Sequence, residues 1–292
     1  MAFTLVEILV VIAIMAVLMG LLLSAVQRVR STSARVTCQN NMKQIGLALH
    51  GFHDANNGLP TGHRSLSQFE PRPLSGWTLD ILPYLEADNL YSRSIEDFKN
   101  QPLPFLPAHI GLSTVFKPYT CPADERVATT HHSKLNNTLA AFTSYLGVSG
   151  RDYASKDGVF IQDKRFHLLA ITDGTSNTLM VGERPPSADF QFGWWYAGVG
   201  QQLSGSADLI LGVREQNLQP IVSGSKCGPG AYPYTDSRFD DPCGMFHFWS
   251  PHLGGANFIF ADGSVRLIRY DANGVMPALA SRAGGEDAAV PE

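Results

Sequence analysis

One acid stands alone in the most apolar stretch of this 292-residue chain. The run from Phe3 to Val26, FTLVEILVVIAIMAVLMGLLLSAV, holds Glu7 as its single ionisable residue. A carboxylate in hydrocarbon costs on the order of 2–3 kcal/mol at mid-bilayer, so such a group is ordinarily paired. Glu7 follows Phe3 by four residues, an axial offset of about 6 Å in a helix. If the chain is cut between Ala2 and Phe3, the new amine of one copy lies level with Glu7 of a neighbour displaced by one turn. That pair offsets two desolvation penalties and exists only when a neighbour is present. It is a head-to-tail contact, which propagates instead of closing.

The remaining chemistry-bearing residues are more dispersed. Four cysteines, Cys38, Cys121, Cys227 and Cys243, fit an oxidising compartment, and none forms a C-x-x-C pair. Of three connectivities we expect Cys227–Cys243, closing a short Gly/Pro/Tyr-rich loop, and Cys38–Cys121, stapling the long helix to the body. Four buried thiols are the alternative. Nine histidines invite a metal reading, yet no H-E-x-x-H and no zinc-type Cys/His spacing occurs. His247 and His252 flank Trp249 and could meet Asp262, although hydrogen bonding in a core or turn explains them as well. Asp173-Gly174-Thr175-Ser176-Asn177 is short and rich in oxygen, as Ca²⁺ ligands must be, which makes Asp173 and Asp262 the Ca²⁺ candidates. Turn and cap chemistry accounts for the same residues. Trp194-Trp195-Tyr196 could line a carbohydrate or peptide groove, but aromatics on a strand are ordinarily core. No G-x-S-x-G, P-loop or dinucleotide fingerprint is present.

Behind these residues stand a few elements. Hydrophobic residues make up 44% of the chain and charged ones 16%, with a net charge of −4, which excludes nucleic-acid binding through a general basic surface. As a helix, residues 3–26 span roughly 36 Å, enough for a bilayer core. A cleaved secretory signal would want a basic start, and Met1-Ala2 has none. Helical periodicity continues past the apolar run. Val26, Val29 and Val36 hold one stripe, and Cys38, Met42, Ile45, Leu49 and Phe52 step by four and three residues. Arg28, Arg35, Gln39 and Lys43 define the opposite face. One helix is therefore expected from Phe3 to about His53, ended by Asp54-Ala55-Asn56-Asn57-Gly58 and Pro60. Beyond it, short strands are expected at Ala141–Val148, Val159–Gln162, Phe190–Tyr196 and Leu209–Val213. A short helix over Gly76–Tyr91 is expected to break at Pro83, with a Pro-rich loop at Gln101–Pro107. Asn257–Ala261 and Ser264–Tyr270, joined by Asp262-Gly263, predict a hairpin with a two-residue type I′ turn. Residues 208–250 read as an insertion or elaborated loop, and the tail from Ala283 as disordered.

AFTLVEILVVIAIMAVLMGLLL resembles the processing and methylation motif of bacterial type IV prepilins and type II secretion pseudopilins. The resemblance implies cleavage between Ala2 and Phe3 by a prepilin peptidase, N-methylation of Phe3 and assembly guided by Glu7. Ala2 replaces the usual Gly before the cut, and the Met1-Ala2 leader lacks the usual Lys or Arg. Arg28, Arg30 and Arg35 follow the helix, against the positive-inside rule, so either the true start lies upstream, which we expect, or a dedicated insertion route overrides the rule. CQNNMKQIGLALHGFHDANNGLP, GWTLDILPYLEADNLY, TCPADE, SYLGVSG, ITDGTSNTLMVGE and HLGGANFIFADGSVRLI extend the likeness to a large prepilin-type subfamily. Its C-terminal signature is His, nine residues, then Asp-Gly, here His252 to Asp262-Gly263. Its globular domain has also been labelled solute-binding-like, and some pseudopilins fix a C-terminal loop with calcium.

The expected architecture is α+β and pilin-like, a long N-terminal helix packed on an antiparallel sheet. Its parts are a leader at 1–2, a membrane and assembly helix at 3–26, the outer helix half at 27–53, a globular domain at 54–282 and a tail at 283–292. The expected role is a non-enzymatic pilus or pseudopilus subunit. It would sit as a single-pass inner-membrane protein with its domain extracytoplasmic, then in a surface or periplasmic filament. Expected partners are the prepilin peptidase, the inner-membrane assembly platform and sibling subunits, with no nucleic acid. The rival reading is a tethered extracytoplasmic solute- or glycan-binding module, using the Trp-rich run or the His252/Asp262 region. An envelope metalloenzyme is the third.

Overall fold

The computed structural model describes residues 4–133, 137–218 and 227–286. Its first element is a single helix of 52 residues, α1 (Leu5–Asn56). The helix stops where Asn57 adopts the left-handed conformation at φ 53° and its N–H bonds back to His53 O, a position that asparagine tolerates better than most residues. Cys38, Met42, Ile45 and Leu49 have no solvent exposure, as their spacing predicts. Burying Met42, Ile45 and Leu49 contributes on the order of 5–9 kcal/mol to docking the helix. The valine stripe does not continue this face. Val26, Val29 and Val36 are exposed, because the body begins to cover α1 only near Ala34.

After α1 come α2 (Trp77–Asp80), a 3₁₀ turn at Leu82–Leu85 and α3 (Asp88–Asn100). Pro83 sits inside that turn, and the chain changes direction at Glu86, which is left-handed at φ 58°. The expected helix is therefore two helices, the second running well past Tyr91. The strands that follow are β1 (His131–His132), β2 (Leu139–Ala140), β3 (Tyr145–Gly150), β4 (Leu179–Glu183) and β5 (Ile210–Gly212). Then come β6 (Arg214–Asn217), β7 (Gly230–Pro233), β8 (Gly255–Phe260), β9 (Val265–Arg269) and a short α4 (Met276–Ala280).

The central sheet has the order β5-β3-β4-β8-β9, antiparallel throughout except for the parallel β5–β3 pair. The fold is thus α+β, a long N-terminal helix on a mostly antiparallel sheet. Every residue of β3, β4 and β8 is buried. One face carries Tyr145, Val181 and Ile259 towards Met42, Ile45 and Leu49 of α1. The other carries Leu146, Val148, Phe258 and Phe260 towards Met276 and Leu279 of α4. A sheet covered on both faces has no reason to alternate apolar with polar residues.

Three expected strands come out differently. Phe190–Tyr196 is not a strand, since Phe190 (φ 58°) and Gly193 (φ 108°) are left-handed and break the extended run. Val159–Gln162 is buried up to Ile161 but bonds singly, Phe160 N–H to Val148 O and Gly62 N–H to Ile161 O, instead of joining a ladder. Ala141–Val148 shifts to β3, Tyr145–Gly150. Residues 208–250 are no pure insertion, because β5 supplies an edge of the main sheet.

The β8–β9 hairpin forms, with a different turn from the expected one. Ile259 pairs with Val265, Phe260 N–H donates to Ser264 O and Gly263 N–H to Phe260 O. This is a three-residue loop, Ala261-Asp262-Gly263, in which only Gly263 is left-handed, at φ 77°. A type I turn followed by a left-handed glycine suits such a loop, whereas type I′ would need positive φ at two central residues. The hairpin lies along α1: Gln39 Nε2 donates to Asn257 Oδ1 at 3.0 Å and Lys43 Nζ to Gly263 O at 2.8 Å. Gln39 and Lys43 thus serve the docking face instead of the opposite one. Gly46 permits the approach, since a Cβ there would meet Ile259 Cγ2 at 3.3 Å.

Candidate functional site

Two features stand apart from ordinary packing. The first is the N-terminal half of α1. From Glu7 onwards this helix is long and apolar enough to cross a membrane, with a mean hydropathy of 3.0 in its most apolar 18-residue window and none of that window buried. Leu9, Ile12, Met15, Met19 and Leu23 are all more than half exposed. Glu7 closes a capping box at the helix start. Thr4 N–H and Oγ1–H donate to Glu7 Oε2 at 2.8 and 2.9 Å, and Glu7 N–H donates to Thr4 Oγ1 at 3.4 Å. Thr4-x-x-Glu7 carries the spacing of that motif, a signal separate from the lone-charge argument. Glu7 Oε1 has no hydrogen-bond partner among the described residues. Ala2 and Phe3, the residues flanking the expected cut, lie outside the described residues.

The second feature is a buried cluster where α1, the loop after Tyr119, the end of β4 and the loop before β8 meet. Cys38 and Cys121 are joined in a disulfide with Cα atoms 5.4 Å apart. His252 Nε2 lies 3.5 Å from Cys121 Sγ and 3.6 Å from Glu183 Oε1. All four side chains are buried, and their ligand atoms fall within 4.8 Å of one another. Asn257 holds Glu183 in place, its backbone N–H donating to Oε2 at 2.8 Å and its Nδ2 to Oε1 at 3.0 Å. Burial pushes the Glu183 carboxyl above the usual carboxylate range against those hydrogen bonds. Burial, and then the nearby Arg35 charge, hold His252 down to about 4, so its imidazole is neutral at pH 7.

The signature residues of the C-terminal region do not converge. His252 sits at one end of β8 and Asp262 at the other, separated by a six-residue strand, roughly 20 Å. Asp262 instead caps its own turn, accepting from Ser264 N–H at 2.8 Å, and Gly263 allows the turn to close against α1. His247 Nδ1 bonds the carbonyl of Phe248 at 3.3 Å. Asp173, the other Ca²⁺ candidate, accepts N–H donors from Gly284 and Gly285 at 2.6 and 2.9 Å, an anion-type use of the carboxylate. Those bonds also tie down the start of the tail, while residues 287–292 of the expected disordered segment lie outside the described residues. Neither aspartate belongs to a group of three or more ligand side chains among the described residues. Cys227 pairs with Cys243. Trp194, Trp195 and Tyr196 are at most 5% exposed and belong to the core, so they line no groove. Glu183 carries no spacing signal in the sequence. Only its place as the acid ending the apolar run LMVGE hints at a buried partner.

A buried histidine outside the cluster provides a pH test of the fold. His63 Nε2–H donates to Gly198 O, 2.8 Å away, and burial lowers its pKa from 6.5 to about 4, with that hydrogen bond and Asp163 opposing and Arg64 assisting. Its folded pKa lies below its unfolded one, so its contribution is complete above pH 6.5 and is lost as pH falls towards 4. His63→Gln should therefore gain about 2–3 kcal/mol relative to the parent between pH 7.5 and pH 4.5. Paired urea titrations at the two pH values check this, and a pH-independent difference would contradict it.

Residues 27–273 match the model of a family described as "Protein of unknown function (DUF1559)". Comparison with curated proteins finds no match, and comparison with solved structures finds none either. The family match starts where the apolar half of α1 ends and runs past the β8–β9 hairpin, so it takes in the whole buried cluster and most of the described body. On that coverage, the chain belongs to the DUF1559 family.

Proposed function

We propose that this protein is a pilin-like structural subunit. A prepilin peptidase cuts it between Ala2 and Phe3 and methylates Phe3, and the product is built into a pilus or pseudopilus through α1 and Glu7. The observation carrying this reading is the bare apolar half of α1, which is covered by none of the described residues and has one acid near its tip. Such a surface needs lipid before assembly and sister helices afterwards. The globular body then faces an extracytoplasmic, oxidising compartment, in keeping with two disulfides. Its partners are the peptidase, an inner-membrane assembly platform and sibling subunits. The body serves as packing and display, without catalysis. The rival reading of a glycan-binding module loses its aromatic groove, because the Trp-rich run is core.

Processing is tested by intact mass and N-terminal analysis of the protein taken from membranes and from sheared surface material. Chains beginning at Phe3 with one added methyl group are expected in the filament fraction. Filament chains still carrying Ala2 would rule out the proposed cut.

A further inference from the structure

The disulfide between Cys38 and Cys121 is the oxidised occupant of a pocket whose walls also suit a metal. Two thiols, an imidazole and a carboxylate converge there from four different segments, a set that matches the borderline-soft, four-coordinate preference of zinc. The distances agree. In a tetrahedral zinc site the ligand–ligand edges are about 3.5 Å for sulfur to nitrogen and about 3.4 Å for nitrogen to oxygen, given ordinary metal–ligand lengths. The structure places His252 Nε2 3.5 Å from Cys121 Sγ and 3.6 Å from Glu183 Oε1. The bonded sulfur pair must open, to about 3.8 Å, and all the ligand atoms already lie within 4.8 Å of one another.

The surroundings support the same assignment. Glu183 is oriented by Asn257, which is itself held by Gln39 from α1, so the carboxylate has the kind of outer support that metal ligands use. Two thiolates and one carboxylate around Zn²⁺ leave one surplus negative charge. The Arg35 guanidinium, close enough to act on both Glu183 and His252, balances it. His252 Nε2 faces the sulfur and the carboxylate and, among the described residues, makes no bond to a backbone carbonyl, as a ring nitrogen with a purely structural role would.

We propose that the dithiol form of this chain binds one zinc ion through Cys38, Cys121, Glu183 and His252, so that metal and disulfide are mutually exclusive occupants of one pocket. A phosphine reductant and water convert the disulfide to two thiols and a phosphine oxide. Zn²⁺ then replaces the two thiol protons, which leave to solvent. Four protein ligands close the site, giving the ion a structural role: it holds α1 to the body before the sulfurs are oxidised. This assignment stands on the four side chains alone and is independent of filament assembly.

The test uses the full chain in detergent with Cys227 and Cys243 both changed to Ala, so that only one thiol pair remains. After phosphine reduction, titration with Co²⁺ is expected to give one ion per chain, with thiolate-to-cobalt charge-transfer absorption that Zn²⁺ abolishes. His252→Ala and Glu183→Gln should each weaken binding by at least about tenfold, and the oxidised protein should show no such absorption. A reduced chain that keeps its native tryptophan fluorescence yet binds no cobalt would overturn the proposal. So would variants that bind as tightly as the parent. If reduction unfolds the chain, Zn²⁺ but not Mg²⁺ must restore native fluorescence, and failure to do so counts against the site equally.

Discussion

Glu7→Gln should remove the protein from surface filaments while leaving its globular body folded. The reason lies in what the substitution keeps. Glutamine at this position still accepts from Thr4 and preserves the capping box, so the helix start is unchanged. It loses only the negative charge. In the proposed assembly that charge pairs with a sister chain's amine at Phe3, one turn away along the axis. Without it each incoming subunit carries an uncompensated ammonium group in a medium where such a group costs several kcal/mol. Three kcal/mol per contact already lowers the assembly constant by more than about a hundredfold. Glu7→Leu removes both cap and charge and should behave no better. The two variants separate the competing roles of Glu7. Filament loss with leucine but normal yield with glutamine would reduce Glu7 to a helix cap. Yield is read from sheared surface fractions, with membrane-fraction protein as the control for folding and insertion.

The legibility of this chain depends on how far apart the cooperating residues lie. Helix α1 is readable because its signals are local: 24 residues with one charge, then a stripe of Cys38, Met42, Ile45 and Leu49, then an asparagine able to turn left-handed. The hairpin is readable for the same reason, though its turn type was not, because Asp-Gly suits both two- and three-residue loops. Phe190–Tyr196 misleads through composition. Its aromatics favour strands in general, but two left-handed residues fold them into the core as an irregular segment. The buried cluster is the least legible part. Its members stand at positions 38, 121, 183 and 252, and no spacing rule connects them. His252 and Asp262 are close in sequence, and the strand between them carries them to opposite ends of the hairpin. The histidine's real neighbours come from α1, β4 and the loop after Tyr119.

Those long separations also rank the two disulfides. Cys38 and Cys121 are 83 residues apart in sequence, and Cys227 and Cys243 are 16 apart. On the chain-entropy account the first cross-link stabilises the fold by about 4.5 kcal/mol and the second by about 3 kcal/mol. Position widens the gap. The first bond joins α1 to the body beside a fully buried packing face, while the second closes a loop next to the β6–β7 ribbon. Replacing Cys38 and Cys121 by Ala also leaves Glu183 and His252 buried beside a void, which adds a cavity cost. The double change at 38 and 121 should therefore destabilise the body by more than the double change at 227 and 243. Urea unfolding of the oxidised proteins, followed by tryptophan fluorescence, measures the difference. In the proposed filament the same bond carries load. Tension along α1 reaches the body through the backbone after Asn56, through the Met42, Ile45 and Leu49 contacts and through this cross-link, so shear should peel the body away from α1 first in the Cys38/Cys121 variant. Equal stability and equal shear resistance in the two variants would mean that packing alone holds α1 in place.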